Sequence, residues 1–197
     1  VFEAAGVDLG KPIITSCGSG VTAAILSLAL ERMGHVREAS CEEFIDGEEF
    51  TYDTVCIDGV PAFENVAQYL PRPLDARTNE WISPIICTVR ELNQPALRDG
   101  IQLGRKVLKA LGMGTGFTHM EWYRKASGEV VFGEIGCRPG GAHLVDQMNF
   151  TCDVDLFREW ARAVCWKSFE GNTERRYNCA IIFKRALGQG RIVRRAG

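Results

Sequence analysis

Apolar positions along the chain recur with two periods, and the change from one period to the other divides it into strands and helices. From 38 to 68 β-branched and aromatic residues alternate with polar ones. The alternation breaks at Asp46-Gly47 and Asp58-Gly59, which predicts a three-stranded antiparallel meander. Residues 81–89 predict a further strand. Leu97, Ile101, Leu103, Val107, Leu108 and Leu111 fall near helical spacing, so a helix is expected over about 95–111, closed by Gly112. Two apolar runs, around Met120-Glu121-Trp122 and Phe132-Gly133-Glu134-Ile135, flank a turn at Ala126-Ser127-Gly128-Glu129 and predict an antiparallel hairpin. A helix over 154–166 and a last hairpin of 180–183 with 191–193 complete the C-terminal part. Upstream, 12–16 reads as a short buried strand, 17–20 as a glycine loop and 22–32 as a helix ending at Gly34. The proline- and charge-rich stretch 70–80 is expected to be a long, substrate-facing loop.

Composition narrows the classes. A chain of 197 residues, 46% hydrophobic, can bury a core of one or two domains. A formal charge of −2 with dispersed arginines excludes a basic stripe, so nucleic acid is not an expected partner. No apolar stretch approaches membrane-spanning length, and the N-terminus has neither a basic leader nor a starting methionine. The expectation is a soluble cytoplasmic chain cut from something longer. Eight cysteines, never closer than thirteen residues, exclude paired zinc or redox motifs and read as buried free thiols.

The chemistry concentrates in the expected hairpin. Glu121 and Glu134 lie thirteen residues apart, one on each arm, so antiparallel pairing brings two hard oxygen ligands together as Mg²⁺ requires. Arg138, in the Gly136-Cys137-Arg138-Pro139-Gly140-Gly141 turn, suits a phosphate on that metal. Two solvent-facing charges on a hairpin are the competing reading. The apolar neighbours Met120, Trp122, Phe132 and Ile135 argue against it, because unpaired carboxylates in a mostly buried hairpin are costly. Farther upstream, Glu42-Glu43-Phe44-Ile45-Asp46-Gly47-Glu48-Glu49 places an acidic residue, a short apolar strand, a tight turn and a second acidic residue seven places on. Such a strand can bond an adenine edge through its backbone, and a carboxylate past the turn can accept from ribose.

Taken together, this run, the helix after it, Glu121, and Glu134 followed by Arg138 and two glycines resemble the C-terminal half of the ATP-grasp fold of carboxylate-amine ligases, over about 37–197. The resemblance implies an α+β subdomain, an antiparallel sheet with packed helices. It implies ATP and Mg²⁺ as cofactors and activation of a small carboxylic acid as an acyl phosphate, which an amine or another nucleophile attacks. By the same resemblance Glu42, Glu43 and Ile45 line the adenine, Glu49 holds the ribose, Glu121 and Glu134 bind Mg²⁺, and Arg138 contacts the transferred phosphoryl or acyl phosphate. Two departures stand out. The asparagine common two residues after the second glutamate is here Gly136, with Asn149 as a candidate substitute, and the subdomain carrying the phosphate-binding lysine and flap is not found intact.

The N-terminal stretch differs in character. The segment from Ala5-Gly6-Val7 through Ser16-Cys17-Gly18-Ser19-Gly20-Val21-Thr22 resembles the active-site loop of rhodanese-type sulfurtransferases, in a partial strand-loop-helix over 1–36. That resemblance implies Cys17 as a persulfide carrier, its thiolate favoured by loop amides and a helix N-terminus. A competing reading takes Lys11-Pro12 and Gly18-Ser19-Gly20-Val21 as the ATP lysine and flap. The chain is therefore expected to join two incomplete domains near 35–38. Its function classes are an ATP-dependent ligase fragment, a sulfurtransferase, or a non-catalytic nucleotide-binding fragment completed by a missing subdomain or a second copy.

Overall fold

The computed structural model describes Arg32 and residues 43–184. Chain contacts divide the protein into two compact units, Val1–Phe44 and Ile45–Gly197. The second unit is built on a six-stranded sheet in the order β5-β4-β1-β2-β3-β6. The strands are β1 (Glu48–Ile57), β2 (Val60–Leu70), β3 (Ile85–Thr88), β4 (Gly116–Arg124), β5 (Val130–Gly136) and β6 (Ala180–Ile182). Every neighbouring pair is antiparallel.

The first hairpin turns at Asp58 and Gly59, both with positive φ (48° and 82°), the backbone that a two-residue turn between twisted strands demands. It supplies two of the three strands expected over 38–68. Of the rest, 43–46 is irregular and 38–42 lies outside the described residues. The second hairpin also turns where expected, closed by Lys125 and Glu129, with the Gly128 amide donating to the Lys125 carbonyl at 2.9 Å.

Helices cover both sides of the sheet. The long helix α2 (Pro95–Ala110) lies where its apolar period predicts and ends at Leu111, before Gly112 with φ +62°. Leu97, Ile101 and Leu108 pack on Phe50, Tyr52, Cys56, Val66, Met120 and Trp122. Gly100 and Gly104 allow this approach. A Cβ at Gly100 would stand 2.3 Å from the Trp122 ring, and one at Gly104 2.3 Å from the Tyr52 ring. On the other side α3 (Leu144–Cys152) and α4 (Leu156–Trp166) bury Leu144, Val145, Met148, Cys152, Leu156 and Ala163 against Val55, Phe63, Ala67, Ile86 and Phe117.

Several expectations require correction. Residues 70–80 are not one loop. Pro73 opens a short helix, α1 (Pro73–Thr78), because a proline at the first helical position has the right φ and no amide to satisfy there, and Asp75 favours the same end. The strand expected over 81–89 is limited to β3. Trp81 is 76% exposed, and Pro84 just ahead of the strand contributes only its carbonyl, which accepts from Phe183 at 2.8 Å. Helix α3 was not expected, and α4 begins at Leu156 rather than 154, capped by the Asp155 carboxylate accepting from the Arg158 amide at 3.1 Å. The described cysteines are free thiols, but Cys137 and Cys165 are exposed rather than buried. The partner strand 191–193 of the last hairpin, Cys17 and the elements expected over 12–31 lie outside the described residues. Among those described, no helix is long and apolar enough to cross a membrane.

Candidate functional site

Strand pairing lays out the face that carries α3 and α4 as a grid. In one row Ala67, Thr51, Glu121 and Glu134 are successive Cα partners across β2, β1, β4 and β5. In the next row the partners are Asn65, Asp53, His119 and Gly136. Direct partners share a face, so the two glutamates of the hairpin stand side by side.

A β-bulge makes this alignment. Beyond it Trp122 opposes Phe132, while before it Glu121 opposes Glu134, so Gly133 is the extra residue. Regular continuation of the outer register would set Glu134 against Met120, on the apolar α2 face. Gly133 tolerates the irregularity because it has no side chain; a Cβ there would lie 2.8 Å from the Glu121 carbonyl oxygen. The bulge thus separates Phe132 and Glu134 onto opposite faces and turns the carboxylate toward its partner.

The neighbours of this pair are polar and deeply placed. Tyr69 donates its hydroxyl to Glu121 Oε1 at 3.1 Å, and burial, with the nearby Glu121 carboxylate, raises the pKa of that hydroxyl. His119 is 6% exposed. Its Nδ1 lies 2.6 Å from Asp53 Oδ1 and its Nε2 3.8 Å from Glu121 Oε1. Burial works against a charged ring, but the Asp53 and Glu121 carboxylates outweigh it and push the pKa up to about 10. Glu49 is 7% exposed, and its pKa is pushed up to about 7 by burial first and then by the Glu121 charge, with Glu134 adding to the rise. Arg77 and Arg72, on and beside α1, act in the opposite sense on Glu49. Concentrated carboxylate charge that already forces one glutamate toward its neutral form is a fit place for a cation.

Among the described residues no group of three or more His, Cys, Asp or Glu side chains forms a metal cage. The Glu121–Glu134 pair fits Mg²⁺ in its commoner setting, where one or two carboxylates share the ion with nucleotide phosphates and water. Arg138 is exposed in the turn after β5. Its stem lies over Gly136, where a Cβ would come 3.3 Å from Arg138 Cγ, and one guanidinium nitrogen donates to the Pro139 carbonyl at 3.0 Å. Asn149 does not replace the absent asparagine, because its Oδ1 accepts from the Leu156 amide at 2.9 Å and so serves the start of α4. Ile45 is half-buried and irregular, Glu43 is exposed, and Glu42 and Cys17 lie outside the described residues.

Sequence reasoning missed Thr51, Asp53, Asn65, Tyr69 and the two arginines near α1. A signal existed for the first two. Glu49, Thr51 and Asp53 alternate with the aromatic Phe50 and Tyr52 along β1, which marks one face as polar.

No protein-family profile matches the chain. An L-arginine-specific L-amino acid ligase from Bacillus subtilis is 30% identical over 172 residues, covering 79% of this chain and 41% of the ligase. The chain thus spans less than half the length of that curated relative. The L-amino acid ligase of Bacillus licheniformis superposes with a TM-score of 0.51 at 18% identity, covering 61% of this chain and 30% of the ligase. An ADP complex of N5-carboxyaminoimidazole ribonucleotide synthetase superposes with a TM-score of 0.54 at 17% identity, covering 72% and 35%. These relatives are ligases and synthetases, and they lend no support to the sulfurtransferase resemblance of 1–36. The antiparallel sheet with its helices is the fold these ligases share, and sequence and fold together support relationship to the ATP-grasp carboxylate-amine ligases.

Proposed function

We propose that the chain carries the metal and nucleotide half-site of an ATP-dependent ligase that activates a small carboxylic acid as an acyl phosphate for attack by an amine. The observation that carries this reading is the direct pairing of Glu121 with Glu134 at the Gly133 bulge, beside Tyr69 and the buried Glu49. A bulge that costs ladder regularity and gathers carboxylates is poorly explained by stability alone. The amino acid ligase relative favours an amino acid as the acid or the amine.

In this reading Glu121 and Glu134 hold Mg²⁺ and Glu49 accepts from a ribose hydroxyl. When bound, the ion supplies electrostatic stabilisation to the charge that develops on the transferred phosphoryl group. Arg138, at the end of the strand that carries Glu134, supplies a planar donor set to the phosphoryl or acyl phosphate oxygens. Ile45 offers backbone groups to the adenine, with Glu42 and Glu43 ahead of it in the same run. Arg72 and Arg77 add positive charge on the Glu49 side. The site would be completed by a subdomain beyond the described residues or by a second copy of the chain.

Calorimetric titration of MgATP into the 197-residue chain tests the proposal, with EDTA and a Glu134→Gln variant as controls. Saturable binding that EDTA and the variant both abolish is the expected result. Binding that survives in Glu134→Gln removes Glu134 from the site, and no binding by a folded chain overturns the half-site.

A further inference from the structure

The network behind Glu121 is too fully connected to be filler. Asp53 is 1% exposed, Asn65 1% and Thr51 0%. Asp53 Oδ2 accepts from Thr51 at 2.8 Å and from Asn65 Nδ2 at 3.2 Å, while Oδ1 faces His119 Nδ1 at 2.6 Å. Asn65 is fixed in turn, because its Oδ1 accepts from Arg175 at 2.6 Å and Arg175 also donates to the carbonyls of Val89 and Glu64. That arginine settles which end of the Asn65 amide faces Asp53. A carboxylate oxygen only accepts when ionised, so a ring set between Asp53 and Glu121 carries a proton on each nitrogen, with Nδ1 donating to Asp53, and has one orientation left.

In that orientation Nε2 addresses Glu121 Oε1 at 3.8 Å, the same oxygen that Tyr69 donates to at 3.1 Å. The Tyr69 hydrogen bond and the charge of the imidazole thus meet at Oε1, the second as an ion-pair approach. Among the described residues no hydrogen bond engages Oε2. The backbone closes over the ring from the other side, since a Cβ at Gly140 would lie 3.1 Å from Nδ1, and Gly136 is the Cα partner of His119 on β5.

We propose that His119 is a positioning residue for Glu121. The Arg175–Asn65–Asp53 chain locks its ring so that Nε2, with the Tyr69 hydroxyl, holds one oxygen of Glu121 and leaves the other for the metal. This rests on the reading of Glu121 as a metal ligand. It also gives Gly136 a reason, because the row in which a third ligand would stand is taken by the histidine that orients the first. Partners of this kind set ligand direction, and their loss typically lowers metal affinity about 10–100-fold.

The test separates the two ring nitrogens. His119→Asn keeps a donor where Nδ1 stands, and with it the Asp53 contact, but has nothing at Nε2. His119→Gln keeps a donor near Nε2. Mn²⁺ binding in the presence of ADP, followed by electron paramagnetic resonance, should weaken about 10-fold or more in His119→Asn. His119→Gln should recover most of that loss, and metal-free ADP binding should be unchanged in both. A His119→Asn chain that binds Mn²⁺-ADP as the unsubstituted chain does overturns the proposal, as does equal weakening in the two variants. Failure of the unsubstituted chain to bind Mn²⁺-ADP sinks the ligase reading itself, and this inference with it. Should the variants fail to fold, imidazole ¹⁵N spectra of the unsubstituted chain decide. The His119 Nε2 resonance should move on adding Mg²⁺ with ADP and not with ADP alone, and a resonance unmoved by both overturns the proposal.

Discussion

The two faces of the sheet are made by the same strands and obey opposite rules. On the α2 side, Phe50 and Tyr52 of β1 and Met120 and Trp122 of β4 form a dry core. It packs so closely that α2 needs glycines at 100 and 104. Phe50 stacks on Trp122 with ring centroids 4.5 Å apart. One residue along each strand, on the opposite side, Glu49, Thr51, Asp53 and His119 are as deeply buried and Glu121 is half-buried, yet all are polar, and Thr51 and His119 both bond Asp53. Burial therefore does not separate the faces. The dry face gains from excluding water, whereas the polar face bears desolvation that its internal partners only partly offset, as the raised Glu49 pKa records. A face kept in that condition is one whose residues answer to something other than stability.

Substitutions should divide along the same line. The largest stability loss belongs to the dry face: Trp122→Ala should cost about 3–5 kcal/mol in urea denaturation, through lost burial and a cavity beneath α2. Glu121→Gln, its neighbour in sequence, should change stability far less and abolish metal-dependent nucleotide binding. Equal stability losses for the two would erase the contrast. Next comes Gly100→Ala, where the added methyl meets the Trp122 ring; it should cost about 1–3 kcal/mol by the same measurement and leave nucleotide affinity intact.

A smaller effect belongs to Glu49. Its pKa rises from 4.5 to about 7 on folding, so the folded chain holds a proton in that window that the unfolded chain has released. Stability from this group is present below 4.5 and is lost as pH rises to about 7. Glu49→Gln should therefore flatten the fall in the urea midpoint over that window, and an unchanged slope would remove Glu49 from the desolvated cluster. Smallest is Tyr69→Phe, which deletes one hydrogen bond to Glu121 and should cost about 0.5–1.5 kcal/mol of stability, with a modest loss of Mn²⁺-ADP affinity on titration.

Range decides which features were legible in the sequence. Asp58-Gly59 and the turn at 126–129 are local signals, and both hairpins formed around them. The helix at 95–110 has an apolar period that survives its two glycines. Glu121 and Glu134 were legible as partners because a tight turn lies between them, although the bulge that makes them face each other was not. Gly133 reads as one more glycine until the registers on its two sides are compared. Helix α3 also carried a signal, since Leu144, Val145, Met148 and Cys152 fall at helical spacing, but the glycine-rich turn before it masked the start. The contacts of Asp53 with His119 and of Asn65 with Arg175 join residues 66 and 110 positions apart. No local pattern encodes such pairs; strand order creates the first, and the irregular segment 172–179 brings Arg175 to the second.

If Glu121 and Glu134, paired across the hairpin, act together and not as two of the many charges on it, metal-dependent nucleotide binding needs both. Mn²⁺-ADP binding, measured by electron paramagnetic resonance on Glu121→Gln, Glu134→Gln and Glu129→Gln, tests this most directly. Glu129 closes the turn of the same hairpin, exposed and paired with Lys125 at 3.2 Å. Binding should be lost in the first two variants and unchanged in the third. Binding retained in either of the first two, or lost equally in all three, would contradict it.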